Sequence, residues 1–282
     1  MFLIDRLHGP EFDFPAPWDE PKFTYMIATT PRSGSTLFCT HLWRTGQLGA
    51  PMEYTNIRQR QWVVKNLGGD DLSKYWREIR RRRTSPNGVF GFKCFTPDLE
   101  HIASACPELL AEIHSDAVIF LRRRDRVAQA VSYARALTTE VWFSDVPEPL
   151  VEYDHKAISD AEYWIARQEA QWEILFAKTD AKPIVVYYED FLKDPAATIA
   201  DIAGRMGIPF DPAAPQLPIP GFEKQASGLS KDWIARYRAE REPDPHWNAT
   251  IHELRVDAAR SSGGVFGGQA QNKGAGHEAR IS

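Results

Sequence analysis

The stretch F-T-Y-M-I-A-T-T-P-R-S-G-S-T-L, residues 23 to 37, decides how this chain folds. Residues 23 to 29 form an apolar, β-rich run that predicts a buried strand, and the strand stops at Thr30-Pro31. From residue 35 to 47 the apolar residues return at helical spacing, with Gly46 as a stop. A strand, a tight polar loop and a helix therefore follow one another directly.

Strands and helices alternate along the rest of the chain. Further strands are predicted at 88–95, 116–121 and 184–188, and helices at 126–139, 159–179 and 195–206. The apolar stripe of the first of these helices contains Val127, Ala130, Val131, Ala134 and Leu137. The helix at 159–179 would be capped by Ser159 or Asp160. This alternation predicts an α/β fold with a mostly parallel central sheet flanked by crossover helices.

The domain organisation predicted from the sequence is simple. Residues 1–22 form an N-terminal arm, residues 23–258 a single domain, and residues 259–282 a glycine-rich, polar tail that we expect to be disordered. A proline-rich surface connection is predicted at residues 209–221.

Composition excludes several classes of function. The chain of 282 residues is 43% hydrophobic and 26% charged, which is ordinary for a globular protein and excludes a fibrous or largely disordered chain. Its 34 basic and 38 acidic residues give a net charge of −4, so there is no global basic footprint for nucleic acid or an anionic membrane. An anionic ligand would need a local site.

Cysteine usage and hydropathy indicate the compartment. Cys39, Cys94 and Cys106 cannot all pair, and their spacing fits neither a zinc site nor a redox motif, so we expect reduced thiols. The proline-broken N-terminus cannot form a signal peptide, and no apolar run approaches the ~20 residues of a membrane span. The sequence therefore predicts a cytoplasmic protein without nucleic-acid partners or membrane insertion.

The loop between the first strand and helix has the composition of a phosphate site. Successive N–H groups at a helix N-terminus attract an anion, and Gly34 permits close backbone approach. Ser33, Ser35 and Thr36 add hydroxyl groups, and Arg32 adds a planar cation. The alternative is a plain capped turn. The loop is not a Walker A motif, because the lysine is missing, which argues against an ATP-driven phosphoryl transferase.

A second anion site is predicted in L-R-R-R-D-R-V-A-Q-A-V-S, residues 121 to 132, where another strand runs into a helix. Arg124 lies at this junction and Ser132 follows about 12 Å further along the helix, so both could reach one phosphate. Arg122 and Arg126 fit a solvated basic face. Two anion sites at neighbouring strand ends suggest a ligand with phosphate-like groups at both ends, such as a 3′,5′-substituted nucleotide.

Together these motifs resemble a known family. The T-P-R-S-G-S-T loop, the Arg124-to-Ser132 spacing and Y-Y-E-D-F-L-K-D-P at 187–195 recur in sulfotransferases that use 3′-phosphoadenosine 5′-phosphosulfate (PAPS). T-G-x-x-G-x-P-x-E at 45–53, V-A-Q-A-V-S-Y-A-R-A at 127–136 and V-W at 141–142 resemble the bacterial trehalose 2-sulfotransferase-type family. The resemblance covers residues 23–240. It implies a P-loop-like three-layer sandwich that transfers a sulfuryl group from PAPS to a carbohydrate hydroxyl, and it favours a homodimer.

The resemblance also implies residue roles. The loop residues would hold the 5′-phosphosulfate, Arg124 and Ser132 the 3′-phosphate, and Tyr188 the adenine. Lys224 lies in a segment, 223–237, that resembles an element closing over the nucleotide, although the family has arginine there. The loop residues in question are Arg32, Ser33, Gly34, Ser35 and Thr36, of which Arg32 would also stabilise the leaving phosphate.

Catalysis would need a base for the acceptor hydroxyl. Glu53 matches the family's glutamate base, and a phosphate nearby would raise its pKa; the alternative is a surface-loop acid. Lys93 would either approach the sulfonate or lie at an exposed strand edge. No metal is expected, because the resemblance implies a metal-independent reaction and the sequence offers no ligand cluster: His41, His101, His114 and His155 are scattered.

The acceptor is the least determined part. Trp62, Trp76 and Trp142 are candidates to stack on sugar rings, with core packing, the commoner fate of tryptophan, as the alternative, and regions 55–87 and 138–158 would shape the pocket. The run Arg80–Arg83 reads as a solvated helix face, with an anionic glycan as the alternative. Two other functions stay open: a P-loop kinase-like phosphotransferase, disfavoured by the missing lysine and Walker B acid, and a non-catalytic nucleotide-binding protein, which would not need Glu53.

Overall fold

Four parallel strands form the central sheet of the computed structural model, which describes residues 9–15, 18–58, 61–142, 149–218 and 228–241. The strands are β1 (Phe23–Ala28), β2 (Val89–Cys94), β3 (Ala117–Arg122) and β4 (Ile184–Tyr187), and their order across the sheet is β2-β1-β3-β4. Each neighbouring pair is parallel.

Helices fill the connections. In chain order they are α1 (Ser35–Arg44), α2 (Gln61–Gly68), α3 (Leu72–Arg83), α4 (Thr96–Ala105), α5 (Pro107–Glu112), α6 (Arg126–Thr139), α7 (His155–Thr179), α8 (Tyr188–Lys193), α9 (Pro195–Arg205) and α10 (Gly228–Glu240). The prediction of an α/β fold, with a parallel sheet flanked by helices, is confirmed.

The strand order determines where a ligand can approach. The chain leaves β1 towards β2 on one side and then crosses back to β3 and β4 on the other. Because such crossovers are right-handed, the two directions place helices on opposite faces of the sheet. The direction reverses between β1 and β3, and in open α/β sheets ligands bind at the carboxyl ends of the strands at such a reversal.

Strand burial explains the near-continuous apolar runs. All six residues of β2 and five of the six residues of β1 are buried, as expected when helices cover both faces. Trp76 is buried and meets Phe90 and Phe92 edge to face, with ring centroids 5.8 and 5.3 Å apart. Trp76 therefore belongs to the core, and its prediction as a sugar-stacking residue is wrong.

A second apolar cluster joins α10 to α6 and α7. The three helices contribute the following buried residues to it: Val127, Ala130, Val131, Ala134, Ile158, Ala161, Ile165, Trp233 and Tyr237. The predicted stripe on α6 is confirmed except for Leu137, which is half-exposed. This cluster holds α10 beside the strand-to-helix junction after β3, where Arg238 donates to Asp125 at 2.8 Å.

The boundaries of the predicted elements agree to within one residue except at two helices, and the first of these, α1, ends at Arg44 rather than at residue 47. α6 has the predicted bounds, and α9 ends just before Gly207, whose φ of 69° breaks the helix. α7 begins at His155 rather than at residue 159, because Asp154 accepts a hydrogen bond from the N–H of Ala157. The polar first turn of α7 hid this cap from an argument based on apolar spacing.

The basic run on α3 is not uniformly solvated. Arg83 is buried, 3.0 Å from Asp13, and donates to the carbonyl of Gly9 at 2.9 Å. Phe12 is buried as well, its ring 4.6 Å from that of Trp43. Residues 9–15 thus pack on the domain through Arg83, and the description of that residue as part of a solvated face is wrong.

Within the described ranges, no helix is both long and apolar enough to cross a membrane. The predicted tail at 259–282 lies outside the described residues. The division into an arm, one domain and a tail stays a prediction.

Candidate functional site

All four strands deliver polar groups to one edge of the sheet. The loop of residues 29–34 follows β1, and Lys93 lies near the end of β2. Arg124 follows β3, and Tyr188 begins α8 directly after β4. Because the strands are parallel, these positions share the carboxyl edge, where the two predicted anion sites were expected.

The loop after β1 leaves four N–H groups unused within the described chain. The N–H groups of Ser33, Gly34, Ser35 and Thr36 donate to no acceptor among the described residues. Gly34 caps α1 with a φ of 88°, and a Cβ added there would lie 2.2 Å from the ring of Tyr188. Only glycine fits both demands, and the loop has the form of an anion cradle.

Buried hydrogen bonds hold this loop in place. The hydroxyls of Thr29 and Ser33 are 2.7 Å apart, and Thr29 also donates to the carbonyl of Leu121 at 3.0 Å. Gln129 on α6 donates to Thr30 Oγ1 at 2.9 Å and to the carbonyl of Pro31 at 2.7 Å. The Ser33 hydroxyl therefore serves the protein, and this residue can offer a ligand its N–H. Gln129 was missed because nothing in its sequence context separates it from a helix-surface glutamine.

Arg32 connects the loop with α6 and the segment after it. Its Nε donates to Ser132 Oγ at 2.8 Å, and its Nη1 donates to the carbonyl of Trp142 at 2.6 Å. The sequence grouped Ser132 with Arg124, whereas the structure shows its hydroxyl bound to Arg32. The Trp142 side chain is half-exposed, and the backbone carbonyl of this residue links it to the loop through Arg32.

Arg124 is held by carboxylates that follow β4. Its N–H donates to both oxygens of Glu189, at 3.1 and 3.0 Å, and its Nη2 donates to Asp190 Oδ2 at 2.5 Å. The guanidinium also lies 3.9 Å from the ring centroid of Tyr187. The hydrogen bond between the two side chains raises the pKa of Arg124 and lowers that of Asp190.

Tyr188 forms a wall of the loop. Its ring lies against Gly34, and the guanidinium of Arg123 is 5.3 Å from the ring centroid. Arg123 also donates to the carbonyl of Arg32 at 3.1 Å. Burial raises the pKa of the Tyr188 hydroxyl. Arg123 was not singled out from the sequence, where it is one of three consecutive arginines and lacks a signal of its own.

Glu53 and Lys93 form a buried ion pair. Lys93 Nζ lies 3.1 Å from Glu53 Oε2, and Asn56 Nδ2 donates to Glu53 Oε1 at 2.8 Å. The Lys93 side chain is 4% exposed and that of Glu53 13%. Two of the possibilities considered from the sequence are therefore wrong. Glu53 is not a surface-loop acid, and Lys93 is not exposed at a strand edge.

Backbone hydrogen bonds bring this pair to the loop. The N–H of Lys93 donates to the carbonyl of Met52 at 2.9 Å, so the chain before Glu53 runs beside β2. The N–H of Thr29 donates to the carbonyl of Cys94 at 3.3 Å. The carboxylate is thus tied to the strand that adjoins the anion cradle.

A second buried carboxyl group lies near Glu53. Thr55 Oγ1 is 3.4 Å from Asp98 Oδ2. Burial, and then the charge of Glu53, raises the pKa of Asp98 to about 7. Asp98 was not singled out from the sequence, where no motif marks it.

Several predicted positions cannot be placed. Lys224 lies outside the described residues, and so does the Trp62 side chain. In the described part of the chain, no three His, Cys, Asp or Glu residues are grouped so that they could hold a metal ion.

Comparison with known proteins identifies the family. The model of the Stf0 sulphotransferases matches residues 24–240. The trehalose 2-sulfotransferase of Mycolicibacterium smegmatis is 31% identical over 267 residues, covering 80% of this chain and 98% of that protein. The trehalose 2-sulfotransferase of Mycobacterium tuberculosis is 30% identical over 258 residues, covering 77% of this chain and 94% of that protein.

Solved structures resemble the chain more weakly. A sulfotransferase domain from the olefin synthase of Synechococcus PCC 7002 is 16% identical with a TM-score of 0.44, covering 87% of this chain and 98% of that domain. A similarity at that level supports no argument. The match to the family model and the two curated relatives are sufficient: the chain belongs to the Stf0 sulphotransferase family.

Proposed function

We propose that this protein transfers the sulfuryl group of PAPS to a hydroxyl of a carbohydrate acceptor, with Glu53 as general base. The observation that carries the proposal is that an anion cradle and a buried carboxylate share one edge of the sheet. A binding module would need the cradle alone, whereas a reaction that removes a proton from the acceptor also needs a base such as this carboxylate.

The donor would bind across the reversal between β1 and β3. The free N–H groups of residues 33–36 suit the 5′-phosphosulfate, and the half-exposed Arg124 suits the 3′-phosphate. Arg124 would exchange Asp190 for that phosphate. Tyr188, Ser132 and Lys224 are proposed as further contacts to the nucleotide. In this arrangement the two anion sites bind opposite ends of one ligand.

The reaction needs a base and charge stabilisation. Glu53 accepts the proton of the acceptor hydroxyl while its oxygen attacks sulfur and the bond from sulfur to the phosphate oxygen breaks. Arg32 and the loop N–H groups stabilise the negative charge left on that phosphate. The products are the sulfate ester and 3′-phosphoadenosine 5′-phosphate (PAP), and Glu53 holds the released proton until water removes it. No step requires a metal.

The acceptor is proposed to be trehalose or another sugar or glycolipid. The names of the two relatives support trehalose. The carbonyl of Trp142 is bound by Arg32, so its indole is a candidate to stack on a sugar ring close to the reacting group. We further propose a cytoplasmic location and a homodimer, in keeping with the sequence.

The test is incubation with ³⁵S-labelled PAPS and a panel of sugars that includes trehalose, followed by identification of the labelled hydroxyl. We expect transfer to at least one sugar, insensitive to a chelator. The matched control is Glu53→Gln, which should lose turnover by about 10²–10⁴-fold and keep its affinity for PAP. Wild-type rates in that variant would refute the base role. A strict Mg²⁺ requirement with a nucleoside triphosphate would favour the kinase, and nucleotide binding without transfer would favour the binding module.

A further inference from the structure

Both oxygens of the Glu53 carboxylate are engaged within the protein. Asn56 Nδ2 donates to Oε1 at 2.8 Å, and Lys93 Nζ lies 3.1 Å from Oε2. A carboxylate has about four acceptor positions, more than these two donors occupy. The two donors therefore determine the plane of the carboxylate without blocking its chemistry.

The sheet fixes the position of the lysine. Lys93 pairs with Ile27 in the register of β1 and β2, and its ammonium group lies 5.4 Å from the ring centroid of Phe95. Its side chain is 4% exposed, so solvent screens the attraction to Glu53 far less than it would at the surface. A buried cation at this distance attracts the negative charge of the carboxylate.

Three described ionisable groups next to this pair, Asp98, Cys39 and Cys94, carry no positive charge. Asp98 on α4 would be negative when ionised, and burial and the charge of Glu53 raise its pKa to about 7. Cys39 on α1 and Cys94 on β2 are buried thiols whose pKa values are raised by burial, that of Cys39 to about 12. Arg58 acts on Asp98, and its side chain is exposed.

We infer that Lys93 and Asn56 are the positioning residues of the general base: Lys93 keeps the Glu53 carboxylate ionised, and the two donors together hold its orientation towards the acceptor hydroxyl. Neither residue is assigned a proton-transfer step. The inference rests on the proposed function and differs from the alternative in which Lys93 contacts the sulfonate of the donor.

The test is the pH dependence of kcat/KM for Lys93→Met, with PAPS and PAP binding measured alongside. Without the cation, Glu53 is protonated more easily, so the acid limb should move to higher pH by about one to three units. At neutral pH kcat should fall by about 10- to 100-fold, because part of the base is then protonated and the carboxylate has lost a charged donor that orients it. PAPS and PAP should bind as in wild type, and Lys93→Arg should recover part of the rate.

Two further variants control for simple loss of stability. Arg83→Met removes another buried cation paired with a carboxylate, 3.0 Å from Asp13, and should lower stability without moving the acid limb. Asn56→Leu removes the neutral donor and should lower kcat by about 10- to 100-fold, the range expected for one hydrogen bond to a charged group. If Lys93→Met does not fold, the positioning role is tested with Asn56→Leu alone. A wild-type kcat for Asn56→Leu would then overturn the inference.

The outcomes separate the inference from the proposed function. If the wild type transfers sulfuryl groups, Glu53→Gln is inactive and Lys93→Met keeps both its rate and its acid limb, the inference alone fails. If Lys93→Met weakens PAPS binding but not PAP binding, Lys93 contacts the sulfonate and the inference also fails. If Glu53→Gln is fully active, the base role fails and the inference falls with it.

Discussion

Two ion pairs at the carboxyl edge of the sheet differ chiefly in their exposure to solvent. Lys93 and Glu53 approach to 3.1 Å with side chains 4% and 13% exposed. Arg124 and Asp190 approach to 2.5 Å with side chains 48% and 47% exposed. The first pair is shielded, so breaking it removes the countercharge of a buried ion. The second is in contact with water and can exchange its carboxylate for a ligand at small cost.

The difference separates two tasks of a transferase site. A proton acceptor has to keep one orientation, which a buried pair on a strand provides. A binding group for a phosphate that enters and leaves has to release its resting partner, which an exposed pair allows. Burial, more than charge or distance, therefore distinguishes the proposed catalytic end of the site from the proposed nucleotide end.

The largest expected effect comes from breaking the buried pair. Lys93→Met or Glu53→Gln alone should lower the free energy of unfolding by about 3–5 kcal/mol, whereas the double variant should recover most of that loss. Urea unfolding followed by circular dichroism measures the coupling. The matched cycle on the exposed pair, Arg124→Met with Asp190→Asn, should give a coupling below about 1 kcal/mol. Equal couplings in the two cycles would remove the distinction drawn from burial.

An intermediate effect is expected from Arg124→Ala. Loss of a charge-assisted hydrogen bond, worth about 1.5–3 kcal/mol, should weaken PAP binding by about 10- to 100-fold. Adenosine 5′-phosphosulfate lacks the 3′-phosphate, so its affinity should fall by less than about twofold in the same variant. That change is well below the loss expected for one charge-assisted hydrogen bond. Isothermal titration calorimetry on both ligands checks this. Equal losses would show that Arg124 does not recognise the 3′-phosphate.

The smallest effect is expected from Asp190→Asn. Removing the carboxylate that holds Arg124 should tighten PAP binding by about two- to fivefold, in line with the low value of an exposed ion pair. The gain should shrink with added salt. The control is Asp201→Asn, which removes an exposed acid paired with Arg205 at 3.8 Å on α9 and should leave PAP affinity unchanged. Weaker PAP binding in Asp190→Asn would mean that Asp190 orients Arg124 for the ligand.

Local patterns predicted much of this molecule. The run at 23–37 determined a strand, a tight loop and a helix, because proline, glycine and apolar spacing act over a few residues. Alternating strands and helices implied the parallel sheet, and parallel strands bring their carboxyl ends to one edge. The two anion sites could therefore be expected at that edge before any coordinates were known.

Partners across the fold could not be predicted in this way. Nothing in the sequence connects Glu53 with Lys93, which are 40 residues apart, or Ser132 with Arg32, which are 100 apart. These contacts depend on which strands are neighbours and on which residues each helix turns inward. The sequence by itself determined the four strands, the helices α1, α6, α7 and α9, and the chemistry of the loop, because these arise from neighbours along the chain. Only the tertiary structure decided which charges are buried and paired, because burial depends on segments that are distant in sequence.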